Sequence, residues 1–364
     1  MLIMFVTEYN KIIDQINSFD PYKYVYTRNY SDGSVSKLSP YVSRGVISTK
    51  IIYKKLIENK FDLKKCEKFV QELAWRDFWQ QVWVNHRDKI NDDFKHPQSE
   101  FKDYMICNSL LDGKTGINAI DKEIKNLYDS GYMHNHMRMY VASIATNIAK
   151  SHWKQPAKWM YYHLLDGDWA SNALSWQWVA GSNSNKKYYA NQENINKYFN
   201  STQKNSFLDC SYDHFQSMDI PEPLTKKINF NFEFNLPDKN EVKLDLSIPT
   251  LLYNYYNLDP RWRASEKTNK LLIFEPELFK MYPVSKKCID FCLELSKNIN
   301  DIQIYVGSFE DLRKNYPEML FIFKEHPLNK HYKGEMDKRD WLYEIEGDFT
   351  SFFKYWNKIR KKLI

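Results

Sequence analysis

The sequence predicts a mainly α protein, an all-helical domain followed by a small α/β domain. Two observations carry this. Up to about residue 200, apolar residues recur at spacings of three and four, the signature of helices with one buried face. From about residue 248, short apolar runs alternate with a helical stretch, the pattern of strand, helix and strand in one layer. Between them "DIPEPLTKKINFNFEFNLPDKNEVKLDLSIPT" carries four prolines and one brief alternating run, the mark of a connector with at most one strand. Domains are expected at 1–200, 201–247 and 248–364, and no internal repeat is present.

The helices are predicted in "SRGVISTKIIYKKLIE" (43–58), "CEKFVQELAWRDFWQQVWVNH" (66–86), "GINAIDKEIKNLYDSG" (116–131), "HMRMYVASIATNIAKSHW" (136–153) and "PAKWMYYHLLDGDWASNALSWQWVAG" (156–181). Strands are predicted in "NKLLIFEPELF" (269–279), "DIQIYVGSF" (301–309) and "EMLFIFKEH" (318–326). A helix in "VSKKCIDFCLELSKN" and a closing basic helix in "GDFTSFFKYWNKIRKKLI" complete the α/β part. That part lacks both GxGxxG and the Walker pattern, so neither fingerprint marks a nucleotide site there.

Composition narrows the function. Hydrophobic residues make up 43% and charged residues 27%, ordinary values for a globular protein of 364 residues. No apolar run approaches the roughly 18 residues of a membrane span. The opening "MLIMFVTEYNK" is too short, and has no basic segment before it, for a secretory signal. Five cysteines are scattered without a CxxC pair, so a reduced, cytoplasmic chain without zinc or an iron–sulfur cluster is expected. The first 200 residues hold 27 Lys and Arg against 21 Asp and Glu, and the remainder 25 against 25. The excess positive charge lies with the tryptophans, which suits a polyanion such as nucleic acid, although lysine-rich solvated faces explain it nearly as well.

Four segments concentrate polar groups among aromatics. In "RNYSDGSVSKLSPYVSRG" (28–45), Ser39 before Pro40 is an N-cap followed by a first-turn proline, so Ser36, Ser39 and nearby amides would face an anion. In "FVQELAWRDFW" (69–79), Phe69, Glu72, Arg76 and Trp79 share one helix face. Glu72 and Arg76 form either a surface pair or, flanked by Trp75 and Phe78, a partly dry one whose arginine suits a phosphate. In "GYMHNHMRMYVAS" (131–143), Asn135, Arg138 and Met139 share a face. His134 and His136 point apart, which excludes a shared metal. In "DGDWASNALSWQWVAG" (166–181), Asp166 and Asp168 precede Asn172, Trp176 and Trp178. Each segment taken singly is ordinary helix core or surface.

Together, in the order "LSPYVSRG", "QELAWRDFW", "TGINAIDKEIKNLYDSGYMHNHMRM", "LLDGDWASNALSWQW", they resemble the flavin-binding domain of the photolyase/cryptochrome family over about residues 20–185. The resemblance implies an all-helical domain holding FAD. By position it implies cofactor contacts from Tyr24, Ser36, Leu38, Ser39, Phe69, Arg76, Arg138, Asp166, Asp168 and Asn172. Trp176 and Trp153 match the first two members of the electron-transfer chain that reduces the flavin under light. The third is not obvious, with Tyr104, Trp83 and Trp159 as substitutes. Trp75 and Trp178 match the pair that stacks on a flipped-out pyrimidine dimer. Glu72, Asn135 and Met139 match enzymes acting on cyclobutane dimers, whereas enzymes acting on the (6-4) lesion carry histidines at the last two positions. Arg28 matches a DNA-phosphate contact, and His136 stands where the family has an arginine doing the same.

The implied activity is light-driven repair of cyclobutane pyrimidine dimers, single- or double-stranded DNA being the partner and the protein a monomer. A blue-light photoreceptor without repair and a single-stranded nucleic-acid-binding flavoprotein are the alternatives. The family's α/β antenna domain usually precedes the flavin domain, and here the flavin domain is expected to begin almost at the first residue given. "NKKYYANQENINKYF" is similar to the iron–sulfur bacterial branch without its cysteines. The C-terminal α/β part faintly resembles a relocated antenna domain, and no second chromophore is expected in it.

Overall fold

The computed structural model describes residues 5–234 and 236–364. Along the chain lie α1 (Tyr9–Ser18), α2 (Pro21–Thr27), α3 (Ser39–Ser43), α4 (Thr49–Glu58) and α5 (Glu67–His86). After them come β1 (Ile106–Cys107), α6 (Asn108–Asp112), α7 (Asn118–Ser130) and α8 (Asn135–Ser143). Then follow α9 (Lys154–His163), α10 (Trp169–Ala180), α11 (Gln192–Tyr198) and β2 (Lys227–Ile228). The C-terminal part holds β3 (Thr250–Tyr253), β4 (Asn269–Phe274), α12 (Pro276–Met281), α13 (Lys286–Ser296) and β5 (Ile302–Val306). It ends with α14 (Phe309–Asn315), β6 (Phe321–Lys324), β7 (Glu335–Asp337) and α15 (Phe352–Leu363). Helices and a sheet are thus both present, as the periodicities predict. No described helix is long and apolar enough to cross a membrane.

Two compact units form. One comprises Met1–Phe19, Ser36–Asn85 and Glu233–Ile364, the other Asp20–Val35 and His86–Phe232. The boundaries do not follow those expected at 200 and 247, because α4 and α5 fold with the C-terminal sheet. The cause lies in α5, whose buried residues are spread around its circumference and include Phe69, Leu73, Phe78, Val82 and Trp83. Such a helix must be covered on more than one side. Within the first unit Trp83 meets Tyr256, Tyr282 and His326 edge-on, while Phe78 meets Phe352 and Tyr355.

The sheet of the first unit is all parallel, in the order β5-β4-β3-β6-β7. Its central strand, β3, is not among the predicted strands. Four residues, "TLLY", buried on both faces, show no alternation to read. On one side of the sheet Leu252, Leu271, Ile273, Phe321 and Phe323 pack with Phe309 and Leu312 of α14.

In the second unit α10 packs against α8 and α9. The stretch 156–181, predicted as one helix, is two. Residues 164–168 leave the helical path, and the Asp168 carboxylate opens α10 by accepting from the Ser171 N–H at 2.8 Å. The α10 helix closes at Gly181 with φ +88°, a left-handed cap that a side chain would strain. The stretch 136–153 likewise begins as α8 and widens into a π turn at Ile144–Ile148.

Candidate active site

The second unit gathers Arg138, Asp166, Asp168 and Asn172. Arg138, on α8, donates through Nη2 to both Asp166 oxygens at 3.0 and 2.8 Å, and through Nε to the Met133 carbonyl at 2.9 Å. Asp166 and Asp168 are nearly fully buried, 7% and 2% exposed, which an isolated carboxylate would not tolerate. Arg138 compensates the first, and the α10 N-terminus the second. Asn172, one turn into α10, donates to the Ala157 carbonyl at 2.8 Å. Burial beside this pair pushes the Tyr132 hydroxyl up to about 12, so it stays protonated. In the first turn of α10, Ser171 Oγ is buried with no hydrogen-bond partner among the described residues. Two buried carboxylates, a guanidinium and an orphaned hydroxyl fit a polar ring carrying both N–H donors and acceptors, which is the chemistry of a flavin.

At the far end of α10, Trp176 is buried, but Trp178 is 40% exposed and rests on Tyr188, ring centroids 5.8 Å apart. Asn135, the first residue of α8, is exposed, and Met139 is half-buried. Tyr24 and Arg28, on α2 and at its end, are half-buried.

His136 is held by neighbours in its own unit. Its ring nitrogens lie 3.1 Å from the Asn29 carbonyl and 3.1 Å from the Tyr140 hydroxyl, and the ring packs on Tyr198. Burial lowers its basicity, so it is a poor cation for a phosphate. It ties α8 to the 28–31 turn instead.

Trp153 is fully buried and sits 6.5 Å, centroid to centroid, from Trp169. Its indole N–H donates to Asp93 Oδ1 at 2.8 Å, and His152 Nε2 lies 3.4 Å from the same oxygen. His152 is 5.7 Å from Trp153 and 4.7 Å from Tyr104, itself 59% exposed. Of the three substitutes for the third electron carrier, Tyr104 is the one at the surface. Trp83 and Trp159 are buried. Trp169 lies inside the motif 166–181 without an assigned role, and Asp93 lies outside every motif. The i+1 position of Trp169 after Asp168 is the available signal.

The first unit holds the remaining predicted residues. Ser39 opens α3, with Leu38 rather than Ser39 in the cap position and no side-chain cap bond. Ser36 Oγ accepts weakly from the Leu38 N–H at 3.4 Å, and the Ser36 carbonyl accepts from Gln15 at 2.8 Å. Phe69 is buried against Phe19 at 4.8 Å. On α5, Glu72 is half-buried and pairs with Lys68 at 3.1 Å. Trp75 has one face covered by a parallel Phe352 ring from α15, which α5 periodicity alone could not reveal. Arg76 donates to Ser43 Oγ at 2.9 Å and lines a cavity with Asn257 and His326. Next to it Asp77 is buried, accepting from Thr49 Oγ1 at 2.9 Å and the Leu342 N–H at 2.6 Å, and burial raises its carboxyl to about 6. Among the described residues no group of three or more His, Cys, Asp and Glu could hold a metal.

Comparison with known proteins matches residues 69–217 to the FAD binding domain of DNA photolyase. The deoxyribodipyrimidine photo-lyase of Alkalihalophilus pseudofirmus is 32% identical over 40% of this chain and 31% of its own length. That of Streptomyces griseus is 33% identical over 44% of this chain and 36% of its own length. That of Halobacterium salinarum is 30% identical over 47% of this chain and 38% of its own. The matched region thus spans about a third of the length of these relatives. Among solved structures, a cryptochrome of Synechocystis sp. PCC6803 covers 54% of this chain and 44% of its own at 23% identity, with a TM-score of 0.48, a superposition too partial to carry an argument. The matched stretch contains Arg138, Asp166, Asp168 and Asn172 in the geometry above, and residues 69–217 of this chain are similar to the FAD binding domain of DNA photolyase.

Proposed function

We propose that this protein repairs cyclobutane pyrimidine dimers in DNA by light-driven electron donation from reduced FAD. The observation that carries the reading is helix α10, which has a buried carboxylate (Asp168) and a half-buried amide (Asn172) at its start and a solvent-facing indole, Trp178, at its end. One helix would therefore address both a redox ring and a flipped-out base.

In this reading Arg138, paired with Asp166, offsets negative charge on the cofactor ring, while Asp168 and Asn172 meet its polar edge. When bound, FAD would supply the one-electron chemistry of repair. Trp178 stacks on the extruded dimer, a contact that every base can make through its π face. Asn135 and Met139, on α8, border the dimer. Glu72 would bind a thymine carbonyl and stabilise the charge that appears there. Arg28 is the candidate phosphate contact, and Trp153 with Trp176 the route by which light restores reduced flavin.

The test is loss of dimers from a single strand and from a duplex under blue light, with the flavin reduced. Dimer loss that depends on Asn172 and Trp178 supports repair, and no loss in either substrate refutes it. The covered face of Trp75 favours one alternative, a photoreceptor that keeps its photochemistry and repairs nothing. Flavin photoreduction without dimer loss is its signature.

A further inference from the structure

The parallel sheet has a crossing point that the flavin reading leaves unused. From β3 the chain moves outward through β4 to β5, then returns to the other side of β3 to lay down β6 and β7. Strand order therefore reverses between β3 and β6. In open parallel sheets the space beyond the carboxyl ends of two such strands is where ligands bind, because the loops leave in opposite directions and open a crevice.

A cavity of about 100 Å3 lies here, lined by Asn254, Tyr256 and Asn257 after β3 and by Lys324, Glu325 and His326 at the end of β6. Gly45, at φ +65°, lets another segment approach it, since a Cβ there would sit 2.3 Å from the Tyr256 carbonyl oxygen. Arg76 and Arg339 complete the cationic lining.

Two buried donors in this cavity lack partners among the described residues. Asn257 and His326 are 6% and 7% exposed, yet Asn257 Nδ2 and His326 Nε2 make no hydrogen bond. His326 Nδ1 accepts from the Leu328 N–H at 3.3 Å, so in the neutral ring Nε2 carries the proton and is a donor. The ring is fixed by Tyr256, stacked on it at 4.4 Å and 16°. An unmet buried donor costs about 1–3 kcal/mol, so two at one cavity call for a ligand with acceptors.

The acids here are already engaged. Asp259 pairs with Lys324 at 2.8 Å, Glu325 holds Arg339 through two bonds of 2.7 and 3.0 Å, and Asp340 is exposed. Asp77 accepts from Thr49 and Leu342. Burial and the guanidiniums of Arg339, Arg76 and Arg44 keep the imidazole of His326 neutral. Those three arginines make the surroundings of Nε2 positive.

We infer that this crossing-point cavity binds a small oxyanion, a phosphate or carboxylate group, held by Asn257 Nδ2 and His326 Nε2 beside Arg76. Its volume admits such a group and a few further atoms, not a dinucleotide. The fold of residues 248–364, together with α5, then serves as a binding module as well as a scaffold.

The experiment is calorimetric titration of the full chain, as purified with its flavin, using inorganic phosphate, succinate and adenosine monophosphate. Saturable 1:1 binding of at least one is expected, with a matching rise in melting temperature. Tighter binding of the nucleotide assigns the source as a phosphate ester, and of succinate as a carboxylic acid. Asn257→Asp, nearly isosteric, should weaken binding at least tenfold by facing the anion with a carboxylate, and His326→Phe should do the same. No saturable binding of any of the three overturns the proposal, as does equal affinity in a folded Asn257→Asp protein. Binding seen only without flavin and lost on loading FAD also overturns it, because the cavity would then belong to the cofactor.

Discussion

The rings of Trp75 and Phe352 lie parallel, 3.6 Å between centroids and 8° between planes. Trp75 is the residue that the family resemblance assigns to a flipped-out base, and Phe352 occupies one face of it. Phe352 is itself buried, with Trp356 parallel behind it at 6.2 Å, so α15 brings a short aromatic stack to α5. A base stacking on the covered face must first displace Phe352. Base–aromatic stacking contributes about 1–3 kcal/mol, and a tenfold change in affinity is about 1.4 kcal/mol. Phe352→Leu keeps apolar volume while removing the ring, and it should tighten binding of a dimer-bearing single strand by roughly tenfold. Fluorescence anisotropy measures this. Unchanged affinity would mean that Trp75 packs a helix and serves no base.

Glu72 offers a separate check on the repair reading. Its carboxylate is half-buried and 3.1 Å from the Lys68 ammonium, a pairing it must loosen to meet a thymine carbonyl. Glu72→Ala should lower dimer repair per absorbed photon while leaving flavin content unchanged. Loss of a group that stabilises developing charge costs up to roughly 100-fold or more in other enzymes. Lys68→Ala, which frees the carboxylate, should leave repair within about twofold of the parent, since a half-exposed ion pair contributes little. Repair unchanged in Glu72→Ala would remove this residue from the mechanism.

How much of this is legible in the sequence follows from where each signal lies. Asp166, Asp168 and Asn172 are legible only through the family resemblance of four segments taken together, and Arg138 is the partner found for Asp166. Helix periodicity locates α5 but not its environment, since Phe352 lies some 280 positions away in a segment whose own pattern is that of an ordinary basic helix. Strand β3 escapes prediction because burial on both faces erases alternation. Without it the crossing point is hidden, and with it the reason why Asn257 and His326 are buried. His136 keeps its place in the motif, but the motif does not show its surroundings, because burial and Arg28 lower its basicity against the opposing bond to the Asn29 carbonyl, and both neighbours come from another helix end.

The Trp153 neighbourhood makes a prediction about photoreduction. Oxidising an indole leaves a cation, and the Asp93 carboxylate 2.8 Å from the Trp153 N–H would stabilise it. His152 bridges toward Tyr104 at the surface. Trp153→Phe should slow blue-light reduction of the flavin by at least tenfold. Asp93→Asn and Tyr104→Phe should each slow it by less. The course of flavin absorbance under illumination with an external reductant reports all three. If Tyr104→Phe matches the parent while Trp153→Phe is slow, electrons leave Trp153 by another route.

The last prediction concerns Asp77, which folding buries completely between Thr49, the Leu342 amide and two arginines. Burial is the largest influence on it and raises its carboxyl from 3.8 to about 6, the hydrogen bonds and Arg76 and Arg339 opposing only in part. The folded protein therefore binds this proton more tightly than the unfolded chain does. The stabilisation linked to it is fully present below about pH 4 and is lost as pH rises through about 6. A rise from 3.8 to about 6 corresponds to a free energy on the order of 3 kcal/mol. Asp77→Asn cannot titrate, so its stability relative to the parent should become more favourable by about that amount between pH 4 and pH 7. At pH 4 the Asp77 carboxyl is itself neutral, with one carbonyl acceptor as in the amide, so there the two proteins should be close in stability. Urea unfolding at both pH values decides the matter: a constant difference between the two proteins would show that Asp77 titrates alike in folded and unfolded chains, and that Arg76 and Arg339 hold it as a carboxylate.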